Sequence, residues 1–347
     1  MAYKNMGQYN GGIIKSRATG TVPQGAVRTT DASITSGLTF LTGELEKVDS
    51  KIRQPLNTLT YARDLPIKTG GGWVETLSAM GIEYGMQGGG QEQSIITGGG
   101  VNEIPVIQAD MSKEIFKTHA FAAVMRVFWV DVQRSKITGR SLEQMAIDGI
   151  RAAYDKHMER NAYLGFPNYD TYGLFNQPTV KVQKVADGAA GSDKKKWTEK
   201  TPDEILKDIN TAIAECWANA AYDRDAIPNH ILIPYEQLIY ISTTRMSDIA
   251  EGTILDFLLK HNTAKANGVD LVIAATSFAK GAGVGHTDRM VVYVNDDRFI
   301  AMEELVSLNR SMTQTKTDTL SYDSVYTANI SEVEVFYDQP ICYYDGI

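Results

Sequence analysis

A 347-residue chain that is 43% hydrophobic is long enough for one large domain or two ordinary ones, with ample apolar content for a core. Its 34 Lys and Arg against 42 Asp and Glu leave a formal charge of −8, which argues against a nucleic-acid surface spread over the molecule and leaves room for a local basic face. Two cysteines suggest neither a disulfide framework nor a zinc cluster, no run reaches the roughly 18 apolar residues of a membrane span, and the first residues lack the apolar core of a signal peptide, so a cytoplasm-like compartment is expected.

Residues 1–36 hold no sustained period and are rich in Gly, Thr, Ser and Gln. Lys4, Lys15, Arg17 and Arg28 face only Asp31, so this arm is basic within an acidic protein; alone it is expected to be disordered, either as a floppy terminus or as an arm that orders on a neighbouring subunit. Leu38, Leu41, Leu45 and Val48 then support a short helix ending before Pro55. Residues 59–86 are expected to form strands that pair through a glycine-rich tip, and residues 103–132 return as extended, apolar-periodic chain.

Three glycine triplets, at 70–72, 88–90 and 98–100, invite a phosphate-cradle reading. A P-loop needs G-x-x-x-x-G-K-[ST] between a strand and a helix, because lysine and hydroxyl must reach phosphate and magnesium, and no such string occurs. The tips of a long β-arm account for the triplets better.

Ser141 and Gln144 have the spacing of a capping box, and Leu142, Met145, Ala146, Ile150, Ala153, Tyr154 and Met158 recur at helical steps. They predict an amphipathic rod over 141–163, about 30 Å long, stopped by Gly165 and Pro167. Tyr169, Tyr172 and Phe175 alternate with Gly173, Asn176 and Pro178, as in an ordered loop with buried rings. After a polar excursion at 187–200, Thr201-Pro202-Asp203-Glu204 gives a strong helix start with Ile205, Ile209, Ala212, Ile213, Cys216, Trp217 and Ala220 as its buried stripe.

A strand at 230–233, helices opened by Pro234 and Thr253, and a strand at 269–275 complete an α/β unit. Gly281, Gly283 and Gly285 precede a strand, whereas a dinucleotide fingerprint needs a helix there. Residues 289–294 and 299–302 read as a hairpin turned at Asn295-Asp296-Asp297, a polar stretch follows, and residues 330–337 read as a half-buried strand.

No catalytic constellation is found: the five histidines fall in separate elements, H-E-x-x-H and G-x-S-x-G are absent, and Cys216 on a helical stripe reads as a buried, inert thiol. His157, beside the rod's apolar stripe, reads as a packed or exposed ring, and Asp296-Asp297 and Glu303-Glu304 as turn and surface groups.

The order of basic arm, glycine-tipped β-arm, rod ending in GLFNQP, α/β unit and terminal strands resembles the Hong-Kong-97-type major capsid proteins of tailed bacteriophages. The phrases SGLTFLTGELEKVD before the β-arm and SEVEVFYDQPICYYDGI at the close carry the resemblance further. It implies an α+β capsid fold: an N-terminal arm at 1–36, the start of a peripheral domain at 37–58 and an extended β-arm lying over an adjacent subunit at 59–115. It further implies a peripheral domain at 116–200 with its spine helix at 141–163, an axial domain at 201–288 and return strands at 289–347. Intersubunit contacts are expected at Lys4, Lys15, Arg17, Arg28, Lys68, Trp73 and Glu75. The resemblance implies no enzymatic activity and no cofactor, assembly from pentamers and hexamers in the host bacterial cytoplasm, and residence in the virion. Implied partners are a separate scaffolding protein, because the arm before Gly37 is short, a portal, decoration proteins and weakly contacted DNA. No crosslinking pair is identified. An encapsulin-like compartment shares the fold and is the first alternative; a soluble α/β enzyme with a decorated β-arm is the second.

Overall fold

A computed structural model of the chain describes residues 59–87, 106–138, 142–189, 191, 194–246 and 252–347, all within the unit Leu59–Ile347. In order the elements are α1 (Tyr61–Asp64), β1 (Ile67–Thr69), β2 (Thr76–Gln87), β3 (Val106–Phe128), α2 (Trp129–Thr138), α3 (Leu142–Tyr163) and β4 (Lys181–Lys184). There follow α4 (Pro202–Asn219), β5 (His230–Ile233), α5 (Tyr235–Thr243), α6 (Ile254–Lys260), α7 (Thr263–Ala266) and β6 (Val272–Ala275). The chain closes with β7 (Arg289–Tyr293), β8 (Ile300–Lys316), β9 (Ser321–Val335) and β10 (Cys342–Asp345).

Two five-stranded sheets organise them, one ordered β1-β8-β9-β3-β2 and the other β4-β10-β7-β5-β6. The second sheet and α4, α6 and α7 enclose one apolar core. Helix α4 forms as its sequence dictates: Thr201 Oγ1 accepts from the Glu204 amide, Glu204 Oε2 accepts from the Thr201 amide at 2.8 Å, and Pro202 occupies the first turn. Ile205, Ile209, Ala212, Ile213 and Cys216 of its stripe are wholly buried, while Trp217 and Ala220 lie at its partly covered end.

A second core gathers α3, the loop after it, the first sheet and the face of the second sheet that carries Leu232, Val291, Tyr293 and Tyr343. Helix α3 confirms the predicted rod, with Tyr154, Met158, Ala162 and Tyr163 buried, but Met145 near its start is uncovered. Ser141 lies outside the described residues, and Gln144 Nε2 donates to Asp148 Oδ1. The following loop folds back so closely that the Leu174 and Phe175 amides donate to the Ala162 and Tyr163 carbonyls, each at 2.9 Å. A Cβ at Gly173 would fall 2.3 Å from the Tyr163 carbonyl carbon, which explains the glycine. Phe175 is buried as expected; Tyr169 is exposed.

Four readings of the sequence are corrected. Strands β7 and β8 are not a hairpin, because β7 pairs with β10 and β5 in one sheet and β8 with β1 and β9 in the other. The hairpin is β8–β9, formed from the polar stretch, whose outer half is mostly exposed on β8 and so carries no apolar alternation. Strand β9 is buried on both faces over 328–334, Glu332 and Glu334 included, with α3 and its loop packed against it through Asn161 and Tyr172. The chain turns helical at Trp129, where extended structure was expected to run on through Val132.

The point where the described chain begins is fastened firmly. Glu159 of α3 accepts from the Thr60 amide, the Thr60 hydroxyl and the Tyr61 amide, at 2.7 to 3.1 Å. Asp64, with no exposed surface, accepts from Arg63 Nε and Nη2, from the Tyr163 hydroxyl and from the His230 ring, and its carbonyl accepts from Tyr293. Burial pushes this carboxyl up, but the bonds from Arg63, His230 and Tyr163 outweigh it and hold it below the usual carboxylate range.

Candidate assembly surface

Strand β2 pairs with β3 residue for residue from Thr76↔Lys117 to Gln87↔Val106, and β3 then pairs with β9 from Thr118↔Ser331 to Phe128↔Ser321. One 23-residue strand is thus shared between a body sheet and a two-stranded ribbon. At about 3.4 Å per residue the ribbon is ~40 Å long. The triplets at 88–90 and 98–100, and the tip expected there, lie outside the described residues. Gly70, Gly71 and Gly72 are not at a tip: all three have positive φ, and Gly70 and Gly72 donate to the Glu304 and Leu305 carbonyls beside β8.

Alternation puts Met80, Ile82 and Tyr84 of β2 on one face of the ribbon, and the register places Met111 and Ile115 of β3 on the same face. These five side chains are 56% to 77% exposed. Asp110, Ser112 and Glu114 of β3 occupy the opposite, polar side. Among the described residues Lys113, opposite Met80, is the one charge between Met111 and Ile115 on this otherwise mostly apolar face; such a strip on a two-stranded ribbon has nothing behind it to bury it, and strips of this kind mark interaction surfaces.

The root of the ribbon is clamped. Glu332 accepts from the Lys117 amide at 2.7 Å and from the Tyr172 amide at 3.4 Å, while Lys117 Nζ pairs with Asp170 at 2.6 Å. The Thr118 hydroxyl donates to the Val74 carbonyl, and Asn329 Nδ2 donates to those of Gly72 and Val74. Behind this clamp His119 and His157 meet, Nε2 to Nε2 at 3.3 Å, with His157 stacked on Phe166. Burial pushes His119 down to about 4 and the neighbouring His157 acts the same way, so the pair is neutral at pH 7. His157 is therefore a packed ring, though its partner lies too far off in sequence to be read there. No group of three or more His, Cys, Asp or Glu able to hold a metal occurs among the described residues, and no described helix is long and apolar enough to cross a membrane.

Of the contacts expected from sequence, Lys4, Lys15, Arg17 and Arg28 lie outside the described residues. Lys68 is held in its own chain, donating to the Asp297 carbonyl at 3.3 Å and lying 5.5 Å from the centre of the Phe336 ring. Trp73 and Glu75 are exposed on the stretch leading into β2, and Trp73 is the larger apolar surface there. The ribbon's own apolar face was missed as a set of residues, although Met80, Ile82 and Tyr84 alternate in the sequence with Gly81, Glu83 and Gly85, which was a usable signal.

Near the root, Glu334 is buried with Oε1 unpartnered. Burial pushes its carboxyl up to about 7, against the Ser331 bond and with the help of Glu303. The fold therefore keeps a proton that the unfolded chain releases near 4.5; the stabilisation is complete below that pH and is lost as pH rises through about 7. Glu334→Gln is expected to stabilise the unassembled subunit by ~3 kcal/mol at pH 8 and to change little at pH 4, by urea denaturation at both. An equal effect at the two pH values would contradict this.

A family model described as major capsid protein matches residues 92–347. No curated protein sequence matches the chain. Among solved structures, a chain from the capsid of Myoviridae phage XM1 is similar with a TM-score of 0.70, at 16% identity, over 88% of this chain and 98% of that one. A chain from Microbacterium phage Oxtober96 has a TM-score of 0.58 at 11% identity, over 90% of this chain and 99% of that one. A chain from the capsid of a native GTA particle has a TM-score of 0.58 at 10% identity, with the same coverages of 90% and 99%.

Proposed function

The chain belongs to the major capsid protein family, and from that premise we propose that it self-associates into pentamers and hexamers that close an icosahedral shell around the genome of a tailed bacteriophage. Its fold is the Hong-Kong-97-type capsid fold, and its role is structural and not enzymatic. The single observation that carries the assembly reading is the ribbon's apolar face, which the chain's own body leaves in water. In a tiled shell an identical neighbour supplies the missing cover, and every subunit both gives and receives the same contact.

On this reading the ribbon lies over the adjacent subunit, with Trp73 and Glu75 extending the contact at its base and Lys68 steadying the root. Residues 116–200 and 289–347 form the peripheral domain with α3 as its spine. Residues 201–288 form the axial domain toward the capsomer centre. Residues 1–36, with Lys4, Lys15, Arg17 and Arg28, lie between subunits, since four charges over so long a stretch are too sparse for tight phosphate binding. Further partners are a scaffolding protein, a portal, decoration proteins and packaged DNA touched without sequence preference. Assembly takes place in the host bacterial cytoplasm, and the protein resides in the virion.

The experiment is sedimentation and negative-stain microscopy of the purified protein. Capsomers, shells, sheets or tubes are expected. A strictly monomeric species at high concentration, with scaffold present, would overturn the reading.

A further inference from the structure

The two cysteines suggested no disulfide framework from sequence, and the fold brings them into one core. Cys216 sits on the inner face of α4, its thiol 3.6 Å from the Val292 carbonyl oxygen. Val292 is the residue opposite Cys342 in the β7–β10 ladder, so the helix lays one sulfur over β7, directly beside the strand that carries the other. Both are free thiols, and both belong to the same apolar core.

Their surroundings differ in the way a redox pair requires. Cys216 is enclosed by apolar side chains, and burial pushes its thiol up. Cys342 is equally buried, but it has polar neighbours: Asn219, one turn along α4, donates to its sulfur at 3.1 Å. Lys181, opposite Cys342 in the β4–β10 ladder, reaches the Asn219 side-chain oxygen at 3.4 Å. The contact with Cys216, the Asn219 amide and the Lys181 charge together favour the Cys342 thiolate against the cost of burial.

We propose that Cys216 and Cys342 are an oxidisable dithiol that closes into a disulfide when the subunit meets a small-molecule disulfide, stapling β10 to α4. The setting rests on the capsid reading, in which a subunit made in a reducing cytoplasm passes into oxidising surroundings on release. When the edge strand β4 opens locally and admits solvent, Cys342 loses its proton to water and attacks one sulfur of the small disulfide, expelling one thiol and leaving a mixed disulfide. Cys216 then loses its proton and attacks the Cys342 sulfur, expelling the second thiol. Two protein thiols are oxidised by two electrons, and one external disulfide is reduced to two thiols. The bond closes a long loop and fixes β10, which lies between β4 and β7 in its sheet.

The test treats the unassembled full-length protein with oxidised glutathione, quenches with acid, unfolds it and alkylates with iodoacetamide. The expected product takes up no alkyl group, is two hydrogens lighter, yields a reducible peptide pair containing Cys216 and Cys342, and melts roughly 5 °C higher. Cys216→Ser should instead stop at a glutathione adduct on Cys342. Two alkylated thiols in the oxidised wild type, or an adduct that persists without the internal bond, would overturn the proposal. Particle formation by the reduced protein is scored separately, so a chain that forms the disulfide but never assembles would unseat the capsid reading and leave the dithiol standing.

Discussion

Met80→Thr, Ile82→Thr and Tyr84→Thr combined are expected to leave the subunit folded and to abolish particle formation. The three side chains are largely exposed, so the cores lose nothing, and threonine keeps the strand preference of the residues it replaces. Burying a large apolar side chain contributes about 1.5 to 3 kcal/mol, so removing three from one contact weakens it by ~5 kcal/mol, a factor of several thousand in affinity. A shell repeats that loss at every subunit. Sedimentation should show no particles, with a melting point within a degree or two of the parent. Assembly at the parent's concentration would show that the ribbon face is not the contact.

Arg289→Met is expected to cost about 3 to 5 kcal/mol, the range for leaving a buried charge unpaired. Arg289 and Asp345 are both buried, joined at 2.7 Å from Nε to Oδ1 and at 3.0 Å from Nη2 to Oδ2. Arg289 Nη1 also donates to the Phe175 carbonyl, and its guanidinium lies 4.5 Å from the centre of the Tyr343 ring. One side chain thus ties β7 to β10 and to the loop after α3. Among the described residues, the Asp345 carboxylate would keep only the Val284 amide. Urea denaturation of the unassembled subunit measures the loss, and adding Asp345→Leu should recover part of it, because two apolar groups replace a pair better than one stranded charge does. A loss below about 1 kcal/mol for Arg289→Met would mean that the pair does not hold the sheet.

Where local chemistry decides the structure, the sequence could be read. Helix α4 announces itself through Thr201, Pro202 and Glu204, and α3 through the recurrence that ends at Gly165. The paired arm was legible from its strand patterns and glycines. The rest depends on distant partners. Asn295-Asp296-Asp297 looks like a hairpin turn, yet it passes the chain from one sheet to the other, and nothing local distinguishes the two. Glu332 and Glu334 imitate the exposed half of an alternating strand; Glu332 is inside because it holds the ribbon root, and Glu334 because its strand runs through a covered sheet. Polar β8 residues such as Ser311, Thr313 and Gln314 form a strand because β9 pairs with them, not because of a pattern of their own. The His119–His157 contact, the bonds from Tyr163 and His230 to Asp64, and the meeting of Cys216 and Cys342 in one core each join residues far apart in the chain, so no spacing rule reaches them. Membership of the capsid fold was legible through the order of elements, whereas the residues of the assembly face needed the register of β2 on β3.

The central claim is that the ribbon face is open on the free subunit and covered in the shell. Hydrogen exchange of the amides in residues 76–87 and 106–117, compared between unassembled subunits and particles, tests it most directly. A two-stranded ribbon with few contacts opens readily, so exchange should be fast in the free subunit and slow by at least about tenfold in the particle, while the buried stripe of α4 exchanges alike in both. Equal exchange of the ribbon in the two states would contradict the claim, because it would show that no neighbour covers this face.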